Sequence, residues 1–106
     1  MIELPIVGLL GLSGALLGVG VFGVLTRRNF ILLLIAIEVA MNAAILNFVY
    51  FAAFAPAPAE GLAGQSTAVV LVGFAATEVA VGLAIVLALN RLKGTIDVAR
   101  AQDLRL

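Results

Sequence analysis

Three long apolar runs constrain the fold of this 106-residue chain more than any other feature. They cover about residues 4–25, 30–54 and 67–90. Each has roughly 22–25 residues, enough for an α-helix to cross the ~30 Å hydrocarbon core of a membrane. Hydrophobic residues make up 64% of the chain and charged residues only 11%, whereas a soluble domain is about 45–50% apolar and about 25% charged. The sequence therefore predicts an all-α membrane protein, a single domain of three transmembrane helices.

Two polar breaks separate the runs, and a polar tail follows the last one. The first break is TRRN at residues 26–29, and the second is APAPAEGLAGQS at 55–66, whose prolines and glycines predict a loop. All six Lys and Arg residues lie in the first break or in the tail at 91–106. Basic residues favour the cytoplasmic side of a membrane, so we expect the N-terminus outside and the tail in the cytoplasm.

The first run contains small residues at helical spacing, namely Gly8, Gly11, Ala15 and Gly18. Small residues allow helix backbones to approach closely in lipid. This face therefore suggests a helix–helix contact, although glycine is also simply common in membrane helices.

Two carboxyl groups, those of Glu38 and Glu78, lie inside the second and third runs. An acidic residue at the centre of a membrane helix costs about 2.5–3.5 kcal/mol on insertion scales. No Lys, Arg or His occurs within the three runs, so the spans contain no cation to pair with either acid. Because consecutive helices run antiparallel, both acids should lie at similar depth, with Glu38 somewhat nearer the cytoplasm.

Intramembrane acids of this kind favour a role in a proton or ion path. Hydrocarbon favours the neutral form of a carboxyl group, and such a group can take up and release a proton. Asn42 lies one helical turn after Glu38 and can assist it, either directly or through a water. The alternative is that the acids only hydrogen-bond neighbouring helices. Three helices are too few to shield two acids from lipid, so we expect an obligate subunit of a hetero-oligomer.

Several classes of site are excluded by composition. The chain has no Cys and no His, which removes thiolate nucleophiles, thiolate metal sites and the commonest general base. There is no glycine-rich phosphate loop, and a net charge of zero argues against nucleic-acid binding. We therefore expect no cofactor-binding or metal-binding residues on this chain.

Four segments together resemble one known family. They are LTRRN at 25–29, IEVAMNAAILNFV at 37–49, AATEVAVGLAIVL at 75–87 and TIDVARAQDLR at 95–105. In these segments the chain is similar to subunit K of the proton-pumping NADH:quinone oxidoreductase, respiratory complex I. The combination of three helices, one Glu in each of the last two and an Arg pair between the first two is fairly specific.

The resemblance implies roles for particular residues. Glu38 and Glu78 would relay protons between the quinone-proximal and the antiporter-like subunits of the membrane arm. Arg27 and Arg28 would match the family's cytoplasmic Arg pair, either helping proton uptake or only anchoring the topology. Flavin, iron–sulfur clusters and quinone would be bound by other subunits, so this chain would belong to an enzyme without carrying redox chemistry. The expected location is a prokaryotic plasma membrane.

Three alternatives remain open from sequence alone. The chain could serve a related complex that uses ferredoxin or another electron donor. It could instead belong to a multisubunit cation/proton antiporter, or be a purely structural membrane subunit.

Overall fold

Three α-helices form the structure, a computed structural model that describes residues 3–100 and the side chains of residues 5–100. They are α1 (Glu3–Thr26), α2 (Phe30–Ala53) and α3 (Pro58–Lys93). All three are long and apolar enough to cross a membrane, which confirms the predicted fold class. Which terminus lies outside stays a prediction, and the end of the predicted tail, residues 101–106, lies outside the described residues.

The first polar break is as short as predicted because Asn29 starts α2 immediately after it. Asn29 is extended, with φ −91° and ψ 126°, and its side-chain oxygen accepts hydrogen bonds from the backbone N–H groups of Ile31 (2.9 Å) and Leu32 (3.4 Å). This is N-capping, in which a side chain satisfies the unpaired N–H groups of the first helical turn.

The third helix begins nine residues earlier than the predicted start at residue 67, and the expected loop at 55–66 shrinks to about four residues. Pro58 occupies the first turn of α3, where its missing N–H costs nothing. Gly61 and Gly64 are not helix breakers here, because α3 packs closely on α2 at both positions. A Cβ on Gly61 would lie 2.9 Å from the Ala52 carbonyl oxygen, and one on Gly64 would lie 2.7 Å from the Ala52 Cβ.

The end of α3 also differs slightly from the prediction. The helix continues to Lys93, three residues past the expected residue 90. It stops at Gly94, which has the left-handed conformation (φ 66°) and donates its N–H to the Asn90 carbonyl at 2.8 Å. Glycine adopts this conformation without steric cost, which makes it a common helix terminator.

The middle helix, α2, packs against both α1 and α3. Almost all of the buried side chains at these contacts are small: Ser13, Ala36, Ala43, Ala52, Ala68, Ala75 and Val86. Many large apolar side chains are exposed instead. This is the pattern of a membrane helix bundle, in which small residues let backbones approach and large ones face lipid or other chains.

The first helix contacts α2 through a face that differs from the predicted glycine face. Positions of α1 that are buried or half-buried recur every three or four residues: Ile6, Leu9, Ser13, Leu16, Gly20 and Gly23. By contrast, Gly8, Gly11 and Gly18 are exposed, and a Cβ added at any of them would have nothing within 4 Å. The close approach to α2 therefore depends on Gly20 and Gly23.

Replacing Gly20 should separate α1 from α2. A Cβ at Gly20 would lie 2.6 Å from the Ala40 Cβ, 2.7 Å from the Ala40 nitrogen and 2.8 Å from the Ala36 carbonyl oxygen. We expect Gly20→Ala to lower the free energy of unfolding of the full chain in detergent micelles by about 1–3 kcal/mol, because backbone atoms must move apart.

Gly14→Ala is the matched control, since nothing lies within 4 Å of a Cβ at Gly14. Its free energy of unfolding should be unchanged or higher by up to about 1 kcal/mol, because Ala is the better helix former. Equal destabilisation by the two variants would contradict this account of the α1–α2 contact.

Candidate functional site

Glu38 and Glu78 lie at the same level of two packed helices. The register follows from two close contacts between α2 and α3. A Cβ on Gly82 would meet the Leu34 side chain, and a Cβ on Gly64 would meet Ala52. In both pairs the residue numbers total 116, as expected for antiparallel helices in constant register.

The two acids share that total of 116 and lie between the two contacts along both helices. The axes of packed helices are about 8–10 Å apart, so the backbones that carry the two carboxyl groups are close neighbours. This register supports the expectation of similar depth. It shows no offset of Glu38 relative to Glu78 along the helices, in contrast to the small offset that we expected.

The two acids differ in their surroundings. Glu38 is half-buried, and the residues one turn to either side include Leu34, which contacts α3. Glu78 is exposed within this chain, and it lies next to Val79, a half-buried position of α3.

Glu78 lines an open groove on the surface of the chain. The groove is lined by Leu34 of α2 and by six residues of α3: Phe74, Thr77, Glu78, Val81, Gly82 and Ile85. The lining is otherwise almost wholly apolar. A carboxyl group in such a groove within a membrane span needs a proton, a water or a polar group from another chain.

Neither acid has a partner within the described residues. No side-chain hydrogen bond or ion pair of residues 3–100 involves Glu38 or Glu78. Thr77, adjacent to Glu78, donates its hydroxyl to the Gly73 carbonyl oxygen at 2.9 Å. That back-bond is the role expected of a threonine inside a helix, so Thr77 does not hydrogen-bond the acid beside it.

The predicted supporting residues lie in different places. Asn42 is exposed on α2, and among the described hydrogen bonds it makes none to Glu38. Asn47 and Tyr50 are half-buried, and the Asn47 Oδ1 and the Tyr50 hydroxyl are both enclosed without a hydrogen-bond partner. They lie 9 and 12 residues after Glu38 on the same helix.

Arg27 and Arg28 are exposed at the end of the molecule where α1 stops and α2 starts. Their backbone is held from two directions. The Arg27 N–H donates to the Gly23 carbonyl at 3.0 Å, and the Arg28 carbonyl accepts from the Val98 N–H at 2.6 Å. The second bond links the LTRRN and TIDV segments, a contact that the sequence did not predict.

Comparison with known proteins supports the resemblance found in the sequence. The family model described as NADH-ubiquinone/plastoquinone oxidoreductase chain 4L matches residues 8–105. NADH-quinone oxidoreductase subunit K 1 of Syntrophobacter fumaroxidans is 44% identical over 95 residues, covering 89% of this chain and 90% of the relative. NADH-quinone oxidoreductase subunit K of Geobacillus sp. is 38% identical over 105 residues, covering 99% of both chains. The Bacillus anthracis subunit of that name is 40% identical, also over 99% of both.

A disulfide between α2 and α3 tests the register that brings the acids level. The chain has no native Cys, so Leu34→Cys with Gly82→Cys gives a single possible pair within it. We expect this pair to form a disulfide under mild oxidation in membranes. A Cβ on Gly82 would lie 3.3 Å from the Leu34 Cγ, which is consistent with the Cβ separation of about 3.5–4.5 Å that a disulfide needs. Non-reducing electrophoresis before and after proteolysis between α2 and α3 measures the yield.

The matched control is Leu34→Cys with Val86→Cys, which moves the second position by one helical turn along the buried side of α3. That pair should cross-link several-fold less. A higher yield for the 34–86 pair would place Glu38 out of level with Glu78.

Proposed function

The chain belongs to the NADH-ubiquinone/plastoquinone oxidoreductase chain 4L family, and we propose that it is a membrane-arm subunit of a proton-pumping NADH:quinone oxidoreductase. In this proposal Glu38 and Glu78 are proton-carrying groups in the translocation path. The relatives are named as subunits of NADH-quinone oxidoreductases, and this chain would be a subunit of the same kind of enzyme.

One observation supports the relay most strongly. Two carboxyl groups lie at one level of adjacent helices, within the apolar runs 30–54 and 67–90, which contain no Lys, Arg or His. Each acid disfavours membrane insertion, and neither is offset by a hydrogen bond or ion pair within the described residues. A pair of groups that alternate between protonated and charged states accounts for their presence and for their common depth.

The positions of the two acids suggest an order of contact. Glu38, half-buried between helices, would exchange protons through the α2–α3 contact. Glu78, which faces an open groove, would exchange them with a group or a water held by another subunit. Flexible carboxyl side chains on helices about 8–10 Å apart can be connected through a bridging water.

The exposed surfaces favour a hetero-oligomer. Large apolar side chains cover the outside of all three helices, and Glu78 lies among them. We propose that antiporter-like and quinone-proximal subunits cover the Glu78 side of the chain, with lipid covering the rest. Because the three relatives described above are bacterial, the proposed location is a bacterial plasma membrane, with the N-terminus outside.

The redox groups of such an enzyme are assigned to other subunits. This chain has no Cys or His, the side chains that bind iron–sulfur clusters. Its contribution would be to hold and move protons. Arg27 and Arg28 would lie at the cytoplasmic surface, where they would fix the topology or assist proton uptake.

Glu38→Gln is the direct test of the relay. Glutamine keeps the size and hydrogen-bonding capacity of the side chain but cannot ionise. In an assembled complex we expect it to lower proton pumping and coupled NADH:quinone turnover by about tenfold or more, the scale of losing a general acid–base group. Glu78→Gln should give a smaller but measurable loss, measured as acidification of inverted membrane vesicles.

Glu60→Gln is the control, because Glu60 is an exposed residue in the first turn of α3 and outside the apolar core of the span. Blue-native electrophoresis must show equal assembly of all variants. Normal pumping by assembled Glu38→Gln complex would rule out the relay. If glutamine were silent while Glu38→Leu blocked assembly, the acids would have a structural role instead.

A further inference from the structure

The residues after α3 fold back and join the start of α2. Thr95–Val98, here called the return segment, follows the left-handed turn at Gly94. The Phe30 N–H donates to the Ile96 carbonyl at 3.0 Å, and the Val98 N–H donates to the Arg28 carbonyl at 2.6 Å. These two bonds flank an antiparallel bridge between Asn29 and Asp97.

The return segment is itself held in shape by local hydrogen bonds. The Thr95 hydroxyl accepts from the Asp97 N–H at 3.1 Å, and the Asp97 carboxylate accepts from the Ala99 N–H at 2.8 Å. Residues 95–98 are half-buried. A side chain that accepts a hydrogen bond from the backbone N–H two residues later stabilises a turn in one conformation. The return segment therefore has a defined conformation.

This contact joins the start of α2 to the end of α3, two helix ends that no loop connects. At the other end about four residues link Ala53 to Pro58. With the register of 116, Asn29 lies level with residue 87, so α3 extends six residues beyond it to Lys93, about 9 Å at 1.5 Å per residue. The chain must reverse to reach Asn29, and Gly94 provides that reversal.

The pattern of small residues alone specifies the register of α3 weakly. The buried side of α3 has a small residue at every seventh position: Gly61, Ala68, Ala75 and Gly82. A shift by one repeat would again place a small residue at three of those four positions. It would also bring Leu71 to the place of Gly64 against Ala52, so side-chain packing opposes the shift at the end next to the loop. Backbone hydrogen bonds at a fixed point at the other end also distinguish the two registers.

We infer that the return segment is a clamp: it fixes the start of α2 to the end of α3 and thereby positions Glu38 level with Glu78. Glu38 is nine residues from Asn29 but sixteen from Phe54, where the connecting loop begins, so the clamp is the nearer of its two fixed points. The inference rests on the proposed function for its consequence in proton pumping. The groups that act are two pairs of main-chain groups, the N–H groups of Phe30 and Val98 and the carbonyls of Ile96 and Arg28. They are positioning groups.

Proline substitution at Phe30 and Val98 removes the two hydrogen bonds, because proline has no N–H. Phe30 is the first residue of α2, where proline is well tolerated. Asn29 before it has φ −91° and ψ 126°, the extended conformation that a residue preceding proline prefers. Phe30→Pro with Val98→Pro therefore deletes both donors, whereas Phe30→Ala with Val98→Ala deletes the same side chains and keeps both N–H groups.

The first measurement is the disulfide yield in the assembled complex. In the proline pair we expect the cross-link between Cys residues placed at 34 and 82 to fall several-fold, because these positions are near the clamp. The cross-link between Cys residues placed at 52 and 64, near the loop, should be unchanged. The alanine pair should alter neither.

The second measurement is proton pumping with a reversible rescue. A displacement of about 1 Å in a proton-transfer site can lower its rate by up to about a hundredfold, and we expect about a tenfold loss in the proline pair. Adding Asn29→Cys and Asp97→Cys places a disulfide across the bridge. The hydrogen bonds join the residues on either side of Asn29 and Asp97, and in this kind of antiparallel pair the opposed side chains are close together. Oxidation should restore at least half of the lost pumping and reduction should abolish the gain, while the alanine pair under the same treatments stays constant.

Equal cross-linking and equal pumping in the proline and alanine pairs would overturn the clamp. If the proline double variant does not assemble, Phe30→Pro against Phe30→Ala decides by the same two readouts. If Glu38→Gln pumps normally while the proline pair still loses the 34–82 cross-link, the clamp stands and the relay fails. If the cross-link is retained while Glu38→Gln blocks pumping, the relay stands and the clamp fails.

Discussion

Close contact between small residues of α2 and its two neighbours is the interaction on which this structure depends. Lipid removes most of the hydrophobic drive that packs helices in water, so association relies on how closely backbones approach. Gly20 and Gly23 on one side, and Gly64 and Gly82 on the other, bring α1 and α3 within van der Waals reach of α2. Each contact involves glycine, alanine or the end of a leucine, and both α2–α3 contacts share one antiparallel register, in which paired residue numbers total 116.

That register turns two separate sequence features into one site. Glu38 and Glu78 are 40 positions apart in the chain, yet the antiparallel packing brings them to one level. Within residues 3–100 neither acid has a hydrogen bond or ion pair, and one faces an open groove. The three helices therefore present the acids without completing their surroundings, as the proposed role in a larger proton-translocating assembly requires.

Much of the fold could be predicted from sequence because membrane spans are long and nearly uniform. The number of helices and the turn at Asn29 follow from hydropathy. The choice of Glu38 and Glu78 as site residues follows from the absence of cations in the apolar runs and stays a prediction. The predicted start of α3 is wrong because Gly61 and Gly64 were expected to interrupt a helix. In the structure both lie inside α3, where they allow close contact with α2. Their role depends on Ala52, a residue whose position only the packed structure reveals.

Other features depend on contacts between distant segments and leave weak signals. The pairing of Arg28 and Phe30 with Val98 and Ile96 uses only main-chain atoms, so side-chain patterns do not report it. The glycine face at Gly8, Gly11 and Gly18 satisfies the spacing rule for a helix contact, yet α2 packs on a different face of α1. Spacing alone does not say which of two small-residue faces a neighbour uses.

In the proposed function, Glu38 and Glu78 change protonation as the assembled enzyme turns over. Redox-triggered infrared difference spectroscopy of the complex measures this directly, because a protonated carboxyl group has a C=O stretching band that a carboxylate lacks. We expect a turnover-dependent band in the C=O stretching region of protonated carboxyl groups that loses one component in Glu38→Gln and another in Glu78→Gln. A difference spectrum that is identical in the native complex and in both variants would contradict the proposed function.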